Sequence, residues 1–468
     1  MTKTLVGPQL RQLRRSHNQT QAEMARKLKV SASYVNLLEN NQRSLSVKVL
    51  LALTEAYGVD WRALVNNNEA MQLADLRVAV RDPTLSVERP DLQELRAALD
   101  HAPRLVSQFL ELHQNHRTML GNLQHGCRPG AQPDVLTTSL EAAIHDFFRQ
   151  NGNHFAALEA AAEAARPQIG GNRDDIYANL KMYLHDRYGI DVVLRPAEDL
   201  PDTLRVFDRK KGRVLLSELL DPINCNFQLA HVLALVSCAD QLDALVATLE
   251  TSSDAGRERC RVELANYFAA ALLMPYAPFL ELAETSRYDV DRLASKFGVT
   301  FEMACQRLTT LQREGAQGVP FFFMRIDKAG NVTKRFNATP FTLAEQGGSC
   351  PVWNIHTAFA APGVIVPQFV ELPDSGQFFT VCRTTDRAVL NRHNVDRRLV
   401  VALGCERAHV DRVGYAAQFN LADDTLIARI GINCHVCPRQ ACAQRAHEPL
   451  HVNLPLDANR RGSTRYES

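Results

Sequence analysis

The chain has 468 residues, which at about 100–200 residues per domain predicts several domains rather than one. Hydrophobic residues at 46% and charged residues at 22% are globular values, and they exclude disorder or a low-complexity architecture. The formal charge is only +1, but residues 1–70 hold ten Lys/Arg against five Asp/Glu, which leaves −4 for the rest and confines any nucleic-acid contact to the amino-terminal piece.

The first segment, MTKTLVGPQLRQLRRSHNQTQ, has no apolar stretch of the kind a secretory signal needs, so a cytoplasmic protein is expected. Thr20-Gln21-Ala22-Glu23 spells a capping box that opens a helix, AEMARKL, with Met24, Ala25 and Leu28 turned inward. After a short turn through Lys29 and Val30, Ser31 caps a second helix, ASYVNLLE. Two short helices across a tight turn fit a helix-turn-helix, whose second helix enters the major groove of double-stranded DNA. Ala32, Ser33, Tyr34 and Asn36 are the candidates for base contact, with Gln21 from the preceding helix. Arg14, Arg15, Lys27 and Arg43 are the candidates for phosphate contact, which positions the domain without reading sequence.

Helical periodicity continues beyond residue 67: Leu92, Leu95 and Leu99, then Leu105, Phe109 and Leu112, recur at spacings of three and four. This region reads as a helical linker and the seat of a homodimer, and Cys127–Pro133 reads as a breaker. Residues 138–315 are again mainly helical, with one hairpin in TLRVFDRKKGRVLL about Lys211-Gly212. The uncharged run Leu264–Leu280 is shorter than the ~20 residues of a membrane-spanning helix and is cut by Pro275 and Pro278. It is expected to be a buried core helix, and no membrane partner is expected. From Val319 the texture turns to strand: a hairpin in VPFFFMRIDKAGNVTKRF, then strands at 363–370 and 377–383.

Of eleven cysteines, seven (127, 225, 238, 260, 305, 350 and 382) have no close partner in sequence and read as small buried hydrophobes. Cys434, Cys437 and Cys442 form C-x2-C-x4-C, and Cys405 precedes them in ALGCERAH. Two thiolates separated by two residues grip one metal or cluster from a single turn, and Cys437-Pro438 echoes the Cys-Pro ending of ferredoxin runs. The set Cys405, Cys434, Cys437 and Cys442 therefore suits a [4Fe–4S] cluster, with structural zinc as the alternative and His435 able to replace a thiolate. Arg445 in the AQRA tail fits either of two roles, stabilising an anionic site there or standing as an ordinary surface residue.

These motifs carry resemblances. Residues 6–66, through QTQAEMARKLKVSASYVNLLENNQRSLSVKVLLALTEAYGV, resemble the Xre/Cro-type helix-turn-helix family, with Asn41 where that family has glycine. FQLAHVLALV (227–236) and ELANYFAAALLMP (263–275) resemble the two signature helices of the ImmA/IrrE family. That family's H-E-x-x-H binds zinc through two histidines one turn apart; here His231 remains, Val232 replaces the glutamate and Leu235 the second histidine. His231 is accordingly expected to be a hydrogen-bonded core histidine, and zinc proteolysis is excluded.

Residues 155–450 resemble bacterial regulators of short-chain fatty-acid metabolism, on ELANYFAAALLMPY, QRLTTLQREGAQGVPFFFMRIDKAGNVTKRF, GGSCPVWNIHTAF and the cysteine-rich end. The resemblance implies control of propionate or acetate pathways, sensing of CoA or acyl-CoA, and the cluster rather than zinc. Such a ligand needs cationic and flat apolar groups, for which Arg205, Tyr267, Arg307, Arg325, Lys334 and Arg335 are candidates.

The expected fold is multidomain, mainly α with a smaller α/β carboxyl-terminal part. Its parts are an Xre-type DNA-binding domain (1–66), a helical dimerisation linker (67–150), a degenerate ImmA/IrrE-like domain (151–318) and a domain with the four-cysteine site (319–468). The expected function is a dimeric transcriptional regulator answering to acyl-CoA. A redox or stress regulator using the cluster alone is the alternative. An enzyme on a CoA thioester is disfavoured by the absent H-E-x-x-H and by the lack of a Ser/His/Asp or Cys/His signature.

Overall fold

The computed structural model describes residues 10–11, 13–14, 17, 19–39, 43, 49, 52–53, 56–57, 68–82, 90–124, 140–201, 203–249, 253–341, 349–385, 398–420, 423–440 and 442–449. It divides into two compact units, Met1–Thr137 and Thr138–Ser468. The sequence-predicted breaker at Cys127–Pro133 lies outside the described residues.

In the first unit, α1 (Gln21–Leu28) begins where Thr20 accepts from the Glu23 amide while Glu23 reaches back to the Thr20 amide, the reciprocal cap read from sequence. It ends with Lys29 in the left-handed region at φ 55°, and Ser31 then caps α2 (Ala32–Glu39) through the Tyr34 amide at 3.1 Å. Leu10, Met24, Leu28, Val35, Leu38 and Leu53 close over this pair as one small core. Beyond it, α3 (Asn68–Ala79), α4 (Leu92–His101) and α5 (Pro103–Gln124) meet at Leu76, Leu95 and Val106. The apolar stripe read from sequence is only partly consumed there, since Leu92, Leu105 and Leu112 remain 44%, 66% and 67% exposed.

The second unit opens with α6 (Leu140–Gln150), α7 (Ala156–Ile169) and α8 (Ile176–Tyr188). A three-stranded sheet follows, ordered β1 (Asp191–Arg195), β3 (Arg213–Ser217), β2 (Arg205–Asp208). The β2–β3 hairpin matches the sequence reading, whereas β1, parallel to β3, was not expected there. Then come α9 (Pro222–Ser237), α10 (Ala239–Ala247), α11 (Asp254–Leu273), α12 (Tyr276–Thr285), α13 (Val290–Phe297) and α14 (Phe301–Leu308). The expected single helix across 264–280 is two, because Pro275 cannot continue the ladder and serves as the N-cap of α12.

The carboxyl-terminal part is a six-stranded sheet, ordered β5-β4-β8-β7-β6-β9. It comprises β4 (Phe322–Ile326), β5 (Val332–Asn337), β6 (Val366–Glu371), β7 (Gln377–Thr385), β8 (Leu399–Glu406) and β9 (Ile427–Arg429). All neighbours are antiparallel except β6 and β9. Both faces are covered. Strand alternation sends Val401, Leu403 and Cys405 of β8 into the large helical core and Val400 and Ala402 into a second core with Phe322, Trp353, Cys350 and Ile430. Among the described residues no single helix is long and apolar enough to cross a membrane.

Candidate functional site

The helix-turn-helix presents Ala32, Ser33 and Asn36 as exposed residues on the outer face of α2, with Tyr34 half-buried beside them. Gln21 donates to the Glu39 carboxylate at 2.9 Å and to the Asn36 side-chain Oδ1 at 3.4 Å, which joins α1 to the recognition face. The Arg43 guanidinium stacks over Tyr34 at 5.4 Å, and the Lys27 ammonium over Tyr57 at 4.2 Å. Arg14 is also engaged within the domain. It grips the buried Glu39 carboxylate from two nitrogens, at 2.6 and 3.1 Å, and donates to the Gln19 carbonyl at 2.9 Å. Three of its N–H donors are engaged inside the domain, which gives Arg14 a structural role there. Arg15 lies outside the described residues.

The degenerate peptidase centre lies on α9 and α11. Burial and the charge of Arg205 hold His231 down to about 4. Its Nδ1 accepts from Arg205 at 2.7 Å, so that nitrogen is closed to a metal. Glu263, the acidic remnant on α11, is buried, and it faces Arg259 at 3.2 Å and Lys334 at 3.4 Å. Next to them Arg335 donates to His145 at 2.6 Å; burial and the charges of Arg335, Lys334 and Arg259 press His145 down to about 2. Arg205, Arg259, Lys334 and Arg335 thus share a neighbourhood with one carboxylate and two neutral histidines. The excess of positive charge is the chemistry an anionic ligand needs.

The other ligand candidates are engaged elsewhere. Arg307 is fully buried and clasps Glu159 at 2.5 and 3.0 Å, while the Tyr267 hydroxyl donates to the same carboxylate at 2.7 Å. Both belong to a core ion-pair knot and not to a ligand surface. Arg325 is paired with Glu302 at 2.6 Å.

The neutral histidines imply a pH dependence. On unfolding each returns to the ordinary value near 6.5, so below that pH the unfolded state takes up protons that the native state refuses. Their stabilising contribution is whole above about pH 6.5 and is lost as pH falls toward about 4 for His231 and about 2 for His145. Between pH 7.5 and 5 each costs about 2 kcal/mol, which urea unfolding reads directly. His231→Gln should flatten that slope; an unchanged slope would show that His231 takes up its proton equally in the native and unfolded protein.

The cysteine loop follows β9. The structure does not bring the four sequence-predicted thiols together. Cys405 faces the large helical core: burial pushes its thiol up to about 12, and its charged neighbours are Glu406 and Arg412. Burial pushes the thiol of Cys350, which sequence spacing had left unpartnered, upward, with Cys437 and Cys434 as further electrostatic influences, and Cys350 packs in the second core with Ile430. Gly431 is required by close approach, because a Cβ there would stand 2.6 Å from the Cys437 sulfur. Among the described residues no three His, Cys, Asp or Glu side chains are gathered closely enough to hold one metal ion. The signal for Cys350 was its own Cys350-Pro351, matching Cys437-Pro438.

Three family models match the chain: Helix-turn-helix over residues 10–64, IrrE N-terminal-like domain over 185–309, and Short-chain fatty acyl coenzyme A regulator, C-terminal, over 310–466. A Propionyl-CoA carboxylase regulator of Cereibacter sphaeroides is 37% identical over 469 residues, with 99% of each chain covered. The HTH-type transcriptional regulator PrpR of Mycobacterium tuberculosis is 36% identical, covering 100% of this chain and 96% of that one. A solved structure of a Mycobacterium tuberculosis transcriptional regulator is 39% identical, with a TM-score of 0.67, covering 71% of this chain and 100% of that chain.

Proposed function

Since the chain belongs to the short-chain fatty acyl coenzyme A regulators, DNA-binding transcriptional regulators and not enzymes, we propose that it is a cytoplasmic homodimer controlling propionate or acetate metabolism in response to CoA or acyl-CoA. The observation that carries the ligand reading is the basic cluster about Glu263. The peptidase centre has lost its metal-binding set, and Arg205, Lys334 and Arg335 supply donors for the phosphates of a CoA-type ligand. Leu105 and Leu112, exposed and seven residues apart on α5, support the dimer, since they fall on one helix face.

A [4Fe–4S] cluster in the cysteine loop completes the reading, with Cys350 in place of Cys405 beside Cys434, Cys437 and Cys442. The support is the donor chemistry: three thiols in C-x2-C-x4-C, a fourth on which two of them act electrostatically, and the cradle at Gly431. Thiolates at these positions would hold the iron; structural zinc is the competing occupant.

Titration of propionyl-CoA, acetyl-CoA and free CoA into the full chain tests the ligand reading. At least one should bind and raise the melting temperature with concentration. Arg205→Gln and Arg335→Gln should each weaken that binding about tenfold, the loss of one charge-assisted hydrogen bond. No binding by any of the three would leave the cluster as the sole input.

A further inference from the structure

We infer that Asn153 reads the pantetheine arm of a CoA-type ligand, its side-chain amide bridging the arm's two secondary amides. The inference deepens the ligand reading above and rests on it. Asn153 is 1% exposed, and its Nδ2 and Oδ1 are both buried and without a partner among the described residues. It is the one described side chain that buries a donor and an acceptor together in that state. The next residue repeats the pattern, with His154 Nε2 buried and unpartnered among the described residues. Backbone needs do not account for this. Asn153 lies in the left-handed region at φ 52°, and its backbone amide donates to the Phe148 carbonyl at 2.8 Å where α6 ends. Glycine would hold that backbone without burying an amide, and a buried amide is ordinarily hydrogen-bonded.

The position fits an arm that runs from the basic cluster. His145, earlier on α6, accepts from Arg335 at 2.6 Å. One residue beyond Arg335, Phe336 meets Phe148 at 5.5 Å between ring centroids, and Phe148 meets Phe155 at 5.0 Å. Asn153 is bonded to the Phe148 backbone and stands two residues before Phe155, so these rings lie between it and the cations. Open space lies where a Cβ at Gly152 would stand, so the turn borders room for a ligand. Eight residues separate His145 from Asn153, roughly 10 Å at the helical rise. Ordinary bond geometry puts the two amides of an extended pantetheine arm about 6 and about 11 Å from the pyrophosphate. A ligand whose pyrophosphate meets Arg335 therefore brings the stretch between its amides to Asn153. Within one trans amide the N–H and the carbonyl point opposite ways. Asn153 Oδ1 accordingly accepts from the N–H of one amide, and Nδ2 donates to the carbonyl of the other.

The test measures dissociation constants of the full chain for CoA, acetyl-CoA, propionyl-CoA and 3′-phospho-ADP, which keeps every phosphate of CoA and lacks the arm. Wild-type should bind at least one of the three CoA ligands more tightly than 3′-phospho-ADP. Asn153→Gly, which the left-handed backbone accepts, should weaken that CoA ligand about tenfold and leave 3′-phospho-ADP within about twofold of wild-type. Equal weakening of the two, or loss of both, would show Asn153 to serve the fold and would overturn the inference. Unchanged binding of the CoA ligand, the result for a side chain that only holds an internal water, would overturn it and leave the ligand reading standing. Wild-type that holds 3′-phospho-ADP as tightly as CoA would show the arm to be unread, with the same consequence. No binding of any CoA ligand by wild-type would overturn both.

Discussion

Glu159→Ala is expected to cost about 3–5 kcal/mol of stability in the unit formed by residues 138–468, the cost of stripping one partner from a buried ion pair. Arg307 on α14 is fully buried, and two of its guanidinium nitrogens reach Glu159 on α7 while Nε reaches the Met274 carbonyl at 3.0 Å. Burial works against the Glu159 carboxylate, but Arg307 and the Tyr267 hydroxyl outweigh it and hold the group below the ordinary range. Removing the carboxylate leaves Arg307 charged in an apolar interior and takes the acceptor from the Tyr267 O–H, which keeps only the Phe155 amide as a partner. Replacing both charges, Glu159→Leu with Arg307→Met, should recover most of the loss, because hydrophobic pairs commonly match a buried ion pair. Denaturant unfolding of the single and double variants decides this. A single variant within about 1 kcal/mol of wild-type would mean that the knot contributes little.

Cys437→Ser should take the anaerobic protein from about four iron atoms per chain to essentially none, with loss of its broad visible absorption. Metal held by thiolates is folding energy for the loop, since the unfolded chain offers no preformed site. Cys350→Ser should do the same, because Cys434 and Cys437 act electrostatically on the Cys350 thiol. Cys405→Ser should keep its iron, because strand alternation turns Cys405 toward the helical core. Iron lost in Cys405→Ser and kept in Cys350→Ser would reverse the assignment, and one zinc with no iron in wild-type would make the site structural.

Local signals were the legible part of this chain. The Thr20–Glu23 capping box and the β2–β3 and β4–β5 hairpins depend on residues near one another in sequence, and each stands in the structure, as does the hydrogen-bonded core role read for His231 from its local spacing. The unread parts depend on distant partners. Strand β1 pairs in parallel with β3 across a connection that leaves no local mark. Strand β8, LVVALGCE, is buried on both faces, so its apolar run shows no alternation to separate it from a core helix. The same limit hid where two side chains pack. Arg14 looked like one more cation in a basic segment until Glu39 folded beneath it. Cys405 looked like the fourth thiol because it precedes the loop in sequence, although the sheet turns it away.

On the function proposed for it, this chain holds a specific DNA sequence with an affinity that a short acyl-CoA changes. The most direct measurement is fluorescence anisotropy with a duplex selected by the full chain from a random library, at one fixed salt concentration, with and without saturating propionyl-CoA, acetyl-CoA or free CoA. At least one of these ligands should change the dissociation constant about fivefold or more. Binding to a scrambled duplex, carried by phosphate contacts, should not respond, and Asn36→Ala should lose preference for the selected sequence over the scrambled one. A single dissociation constant for the selected duplex, unmoved by every one of these ligands at saturation, would contradict the account.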